Sequence, residues 1–170
     1  MEPVISIIMG STSDLPIMEK ACKWLNENKI PSEVSALSAH RTPEAVERFA
    51  RYAKARGIKV IIAAAGMSAA LPGVIAAQTD LPVIGVPIKG MLDGLDALLS
   101  IVQMPPGIPV ATVGVNASLN AAILAAQIIG LYDKDVATIV DEHKVGLSEK
   151  IEMANLELSK LEYEYMVKSL

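Results

Sequence analysis

The sequence predicts a three-layer α/β/α domain built on a five-stranded, mostly parallel sheet. Near-continuous runs of β-branched or small apolar residues recur along the chain, as strands buried on both faces require. Segments with apolar residues at helical spacing separate those runs, and this alternation is what crossovers between parallel strands need. The first three runs each end in a polar or glycine-bearing loop, at residues 10–14, 38–42 and 66–70. In a parallel sheet such loops lie on one edge, where ligands bind.

The first strand covers residues 4–9, and a helix over 15–28 places Met18, Ala21, Cys22 and Leu25 on one face. Residues 33–37 supply the second strand. A helix over 44–56 turns Val46, Phe49, Ala50 and Ala53 inward, and Gly57 is a fitting stop. Residues 60–65 form the third strand, and the small-residue loop 66–73 opens another helix. The fourth strand is 82–87, followed by a short helix over 93–102 and a rigid proline-rich loop over 103–109. The fifth strand spans 110–115, and an Ala/Ile-rich helix over 120–131 has to be almost wholly buried. From Asp135 a long helical region follows, with Gly146 as the place for a break. It carries Ile151, Leu156, Leu158 and Leu161 and ends in Tyr163 and Tyr165. Its end either packs on a neighbouring subunit or folds back on its own domain.

The 170 residues are read as one catalytic domain, with a core over about residues 4–135 and a C-terminal helical extension over about 136–170. Hydrophobic residues make up 52 % and aromatic ones 4 %, so Ala, Ile, Val, Leu and Met fill the core. A net charge of −4 with dispersed signs provides no footprint for nucleic acid. Cys22 has no partner for an internal disulfide, and residues 1–9 lack a basic leader and a cleavage site, so a cytoplasmic protein is expected. The apolar stretches are interrupted before the roughly 20 residues of a membrane span. So apolar a chain is expected to bury some helix faces between subunits.

The chemistry concentrates in Ser38-Ala39-His40-Arg41-Thr42-Pro43-Glu44. His40 can take and give a proton near neutrality, and Arg41 offers a planar fork to phosphate or carboxylate. Thr42 reads as a helix N-cap, Pro43 as the first helical residue and Glu44 as an acid in the first turn. His40 satisfying a turn and Arg41 a surface ion pair is the competing account. In the loop Gly10-Ser11-Thr12-Ser13-Asp14, backbone N–H groups and the following helix suit a phosphate. No Lys follows, and the glycines are too few for a dinucleotide or Walker loop. Asp14 suits ribose hydroxyls better than phosphate; alternatively Ser13 or Asp14 caps the helix. Gly66 and the small residues after it let backbone approach a ligand closely, or serve a tight packing turn. His143, the other histidine, reads as a solvated helix residue.

Taken together, Met9-Gly10-Ser11-Thr12-Ser13-Asp14, Ser38-Ala39-His40-Arg41-Thr42-Pro43, Ala65-Gly66-Met67-Ser68-Ala69-Ala70-Leu71-Pro72-Gly73 and Ser100-Ile101-Val102-Gln103-Met104-Pro105-Pro106-Gly107-Ile108-Pro109-Val110 resemble one enzyme family. It is the N5-carboxyaminoimidazole ribonucleotide mutase and aminoimidazole ribonucleotide carboxylase family of purine biosynthesis. The likeness covers roughly residues 4–135. It implies a flavodoxin-like domain, a homo-octamer, a small ribonucleotide substrate, and no metal or organic cofactor. It also implies that His40 shuttles the ring proton as a carboxylate is placed on carbon 4 of the aminoimidazole. Ser13 and Arg41 then belong at the phosphate and Asp14 at the ribose, with Ser11 among the ligand-binding positions. Ser38, Ala39 and the loop of Gly66, Met67, Ser68, Ala70 and Leu71 line the base and carboxylate pocket. The mutase branch usually has a histidine before Leu-Pro-Gly, where this chain has Ala70. Arg41 and the Met-Pro-Pro-Gly-Ile-Pro-Val stretch lean toward the mutase branch, and Ala70 toward the branch that uses carbon dioxide directly. A catalytically silent, nucleotide-binding relative is the third possibility.

Overall fold

The computed structural model describes residues 2–167. Five parallel strands form one sheet: β1 (Ile5–Met9), β2 (Ser32–Ala36), β3 (Val60–Gly66), β4 (Val83–Ile88) and β5 (Ala111–Thr112), in the order β2-β1-β3-β4-β5. Six helices connect or extend them: α1 (Leu15–Glu27), α2 (Pro43–Ala53), α3 (Leu71–Ala76), α4 (Leu95–Val102), α5 (Ser118–Gly130) and α6 (Lys134–Leu158).

The alternation of side chains along each strand divides the core into two layers. Ile5, Ile7, Val60, Ile62, Ile84 and Val86 face α1, α5 and the start of α6. Ile8, Ile61, Ala63 and Val83 face α2, α3 and α4. Each strand therefore needs apolar residues at consecutive positions, and every residue of β1 and β4 is buried. Small side chains set the spacing where helices cross the sheet closely. A Cβ on Gly85 would collide with Ile101 of α4, which is itself fully buried.

One buried hydroxyl interrupts the apolar core of β1, and it has a partner. Ser6 Oγ donates to Glu33 Oε1 at 2.9 Å, while Arg56 holds the same carboxylate through Nη1 and Nη2, each at 2.8 Å. Arg56 also stacks over Phe49, 5.3 Å from its ring centroid. This cluster ties the edge strand β2 to β1 and to the end of α2. The chain turns there through Gly57 at φ 93°, with Ile58 N–H reaching back to Ala53 O at 3.2 Å.

Several elements differ from the sequence reading. The fifth strand shrinks from 110–115 to Ala111–Thr112, because Pro109 precedes it and Gly114 follows. α6 runs unbroken through Gly146. A helical glycine costs about 1 kcal/mol, and that alone does not end a helix. The helix stops at Leu158, short of Tyr163 and Tyr165. α5 is fully buried along one face, through Ala121, Ala122, Ala125, Ala126 and Ile129, and half-buried elsewhere apart from exposed Asn120, while Leu131 beyond its end is exposed. His143 is half-buried rather than solvated. Trp24 Nε1 donates to its Nδ1 at 3.4 Å, and the two rings meet edge to face at 5.5 Å.

The Glu33 cluster generates a stability prediction. Arg56 and, more weakly, Ser6 hold the Glu33 carboxyl below its ordinary pKa. A depressed folded-state pKa stabilises the fold above the unfolded value of about 4.3, and that stabilisation is lost as acid protonates the folded carboxylate. Glu33→Ala is expected to cost about 2 kcal/mol at pH 7, because it strands the buried Ser6 hydroxyl and frees Arg56. In urea unfolding, the gap between wild type and variant should narrow below about pH 4. Equal midpoints at pH 7 would remove the cluster from the stability account.

Candidate active site

In-register pairing brings the ends of three strands level. Met9 lies beside Ala36 on one side and Ala64 on the other, and Leu37 N–H still bonds to Met9 O at 3.0 Å. The loops that follow β1, β2 and β3 consequently open onto one cavity of about 390 Å³. It is lined by Ser11, Ser13 and Asp14 from the first loop and by Ser38, Ala39, His40 and Arg41 from the second. Gly66, Met67, Ala70 and Leu71 come from the third. Gly10, Ala65 and Ala69 also line it; they lie inside the sequence motifs but carry no functional group that would single them out. Ser68 does not line it. Ser68 is exposed in the turn that the Ala69 N–H to Gly66 O bond, 3.0 Å, closes.

The first loop makes one turn of 3-10 helix, Thr12–Asp14, before α1. Ser11 Oγ caps that turn by accepting from Ser13 N–H at 3.3 Å. Asp14 stands at the N-cap position of α1 but makes no capping bond with its side chain. Its carboxylate accepts from Ser13 Oγ at 3.2 Å, and burial pushes its pKa up despite that bond. Asp14 thus presents a partly desolvated carboxylate, with no cation paired to it among the described residues, at the cavity wall. That suits hydroxyl donors better than an anion.

Arg41 bridges the first and second loops. Its Nη2 donates to Gly10 O at 2.6 Å and its Nε to Ser38 Oγ at 3.3 Å. Of the five guanidinium N–H donors, both on Nη1 and the second on Nη2 stay available for an anion. Arg41 is therefore neither free nor spent in a surface ion pair. His40, next to it, is exposed at the cavity, and no described protein group hydrogen-bonds its imidazole. Both ring nitrogens can reach a ligand or water.

The third loop stores backbone strain. Met67 at φ 54° and Ala69 at φ 28° hold left-handed conformations that disfavour side chains. Gly66 has no such angle, but a Cβ there would press on Ile88 O at 3.3 Å. Ala70 occupies the N-cap position of α3 and contributes only a methyl group to the wall.

A wider hollow of about 880 Å³ lies at the opposite edge of the sheet. Its cations are already engaged: Arg51 with Glu47 at 2.8 Å and Gln78 at 3.1 Å, Lys54 with Asp80 at 3.9 Å. Neither histidine lines it.

Fold and cavity define a class, the parallel α/β proteins that take a ligand at the carboxyl edge of the sheet. Within that class the chain belongs to the AIR carboxylase family, whose model matches residues 4–150. It is 49 % identical over 164 residues to a protein of Pyrococcus horikoshii named N5-carboxyaminoimidazole ribonucleotide mutase. That match covers 96 % of this chain and 93 % of the relative. It is 50 % identical over 165 residues to the phosphoribosylaminoimidazole carboxylase of Saccharomyces cerevisiae, where 96 % of this chain spans only 29 % of the longer relative. The crystal structure of Treponema denticola PurE superposes with a TM-score of 0.84 at 33 % identity, covering 93 % of this chain and 99 % of that one. The family assigned from the sequence motifs and the flavodoxin-like fold it implied are both borne out.

A carboxyl whose folded pKa is raised destabilises the fold above that pKa and is neutral to stability below the unfolded value of about 3.9. Asp14→Asn should therefore raise the melting temperature at pH 7, with the gain vanishing in acid. A lower melting temperature at pH 7 would contradict the desolvated carboxylate.

Proposed function

We propose that this chain is a purine-biosynthesis enzyme that forms 4-carboxy-5-aminoimidazole ribonucleotide from N5-carboxyaminoimidazole ribonucleotide. The observation that carries the reading is the single cavity where His40, Arg41, Asp14 and the Gly66 loop converge. The near-complete overlap with a relative bearing the mutase name supports it.

In this reading the cavity binds the nucleotide. Arg41 and Ser13 meet the phosphate, with Ser11 alongside, and Asp14 accepts from the ribose. Ser38, Ala39, Gly66, Met67, Ala70 and Leu71 surround the base and carboxylate. The bond from the exocyclic nitrogen to the carboxyl carbon breaks, and a bond from carbon 4 to that carbon forms. The nitrogen gains a proton and carbon 4 loses one, so no cosubstrate is consumed. His40 receives the carbon 4 proton, which must leave for the ring to recover aromaticity, and is the group that can return one. Confinement keeps the small carboxyl fragment near carbon 4.

Ala70 favours a second reading, direct carboxylation of aminoimidazole ribonucleotide by carbon dioxide. The methyl group at the cavity wall gives a carboxylate no donor where the mutase branch usually has an imidazole.

The assay is conversion of each substrate by purified protein without adenosine triphosphate. Turnover of the N5-carboxylated ribonucleotide is expected, and His40→Asn should lower kcat about 10²-fold or more. Turnover only of aminoimidazole ribonucleotide with bicarbonate would select the second reading. Silence with both would leave a nucleotide-binding protein without catalysis.

The reading extends to a cytoplasmic homo-octamer in which each chain is one catalytic domain. Its support is the apolar surface left uncovered on the single chain. Leu95, Leu99 and Val102 on α4, and Ile151, Leu156 and Leu158 on α6, are all exposed. No described helix is long and apolar enough to cross a membrane. Sedimentation should give a mass near eight times the 18.0 kDa chain, and a monomer would overturn the assembly.

A further inference from the structure

We infer that Thr42 is a positioning residue of this site, acting through Ser38 on Arg41 and His40 although its own side chain does not line the cavity. The inference rests on the reading of Arg41 as the anion clamp. Thr42 precedes Pro43, the first residue of α2, and so occupies the N-cap position. A threonine there ordinarily turns its hydroxyl onto a first-turn amide. Here it does not: Ala45 and Val46 N–H bond instead to Thr42 O, each at 3.1 Å.

The hydroxyl is turned back onto the loop. Thr42 Oγ1 accepts from Ser38 N–H at 3.0 Å and donates to Ser38 O at 3.1 Å, so both its capacities are used on one residue. Thr42 N–H adds a third bond to Ser38 O at 2.9 Å. Ser38, gripped in this way, presents Oγ to Arg41 N–H at 3.2 Å and Arg41 Nε at 3.3 Å, and Arg41 reaches on to Gly10 O. The relay Thr42–Ser38–Arg41–Gly10 joins the second loop to the first at the cavity wall, and His40 lies on the segment it encloses. Residues 40–42 are exposed, so hydrogen bonds rather than packing define their shape.

Thr42→Val keeps the shape and removes the hydroxyl, and Thr42→Ser keeps the hydroxyl. Since the hydroxyl caps no helix, neither change should lower the melting temperature much. Thr42→Val should raise KM for the ribonucleotide about tenfold, with a smaller change in kcat, because the anion clamp loosens first. It should also speed exchange of the Ser38 amide proton about tenfold or more, read by NMR without ligand. Thr42→Ser should match wild type in both measurements. Unaltered KM and Ser38 exchange in Thr42→Val would overturn the inference, as would Thr42→Ser behaving like Thr42→Val. If the wild-type chain turns over neither substrate, the proposed activity fails on its own. Ser38 exchange then decides the role of Thr42: faster only in Thr42→Val supports it, and unaltered overturns it.

Discussion

Burial of the inner strands on both faces is the constraint from which the rest of this structure follows. β1 and β4 have no exposed residue, and β3 is buried up to Ala65, so helices must cover both sides of the sheet. Parallel neighbours can be joined only by crossovers, and these bring every strand out at the same edge. Gly10, Ser38 and Gly66 are far apart in sequence, yet their loops start side by side because Met9, Ala36 and Ala64 are paired. The cavity is a by-product of how the core is closed. Ser6 shows how strictly the constraint applies, since its hydroxyl is tolerated inside β1 only with Glu33 as acceptor.

On that rigid edge the loops carry conformations and charges that a packing-only protein would avoid. Met67, Ala69, Leu92, Asp93 and Asn116 all have positive φ, and all lie on loops leaving β3, β4 or the β5 region. Asn116 helps to hold its neighbourhood, bonding to Lys89 N–H at 2.8 Å through Oδ1 and to Pro87 O at 2.8 Å through its own N–H. Asp14 loses part of its hydration for little in return. Such costs persist where the surrounding structure over-determines the backbone, and they gather at sites that bind or react.

Most of the architecture was legible from one signal, the alternation of doubly buried runs with amphipathic ones. The convergence of residues 10–14, 38–42 and 66–70 followed from topology alone. The places that sequence misread have a common cause: a side chain was judged from its nearest neighbours in the chain. His143 looks solvated on α6, but Trp24, on a helix more than a hundred residues earlier, supplies its contact. Thr42 looks like an ordinary helix cap, and only the fold of the loop shows its hydroxyl facing backward. Gly146 looks like a stop, yet a Cβ there would meet only open space and the helix continues.

The contact of Trp24 on α1 with His143 on α6 has an optical consequence. Trp24 is the single tryptophan of the chain, and its indole N–H ends on the His143 ring. Near-ultraviolet emission from the protein is therefore a local report on how α6 sits against α1. Trp24 lies nine helical steps from Leu15 at the cavity end of α1, roughly 13 Å of helix. An emission change on adding a small molecule would speak first of the long helix, and cavity occupancy needs a probe of its own, such as the His40 ring protons.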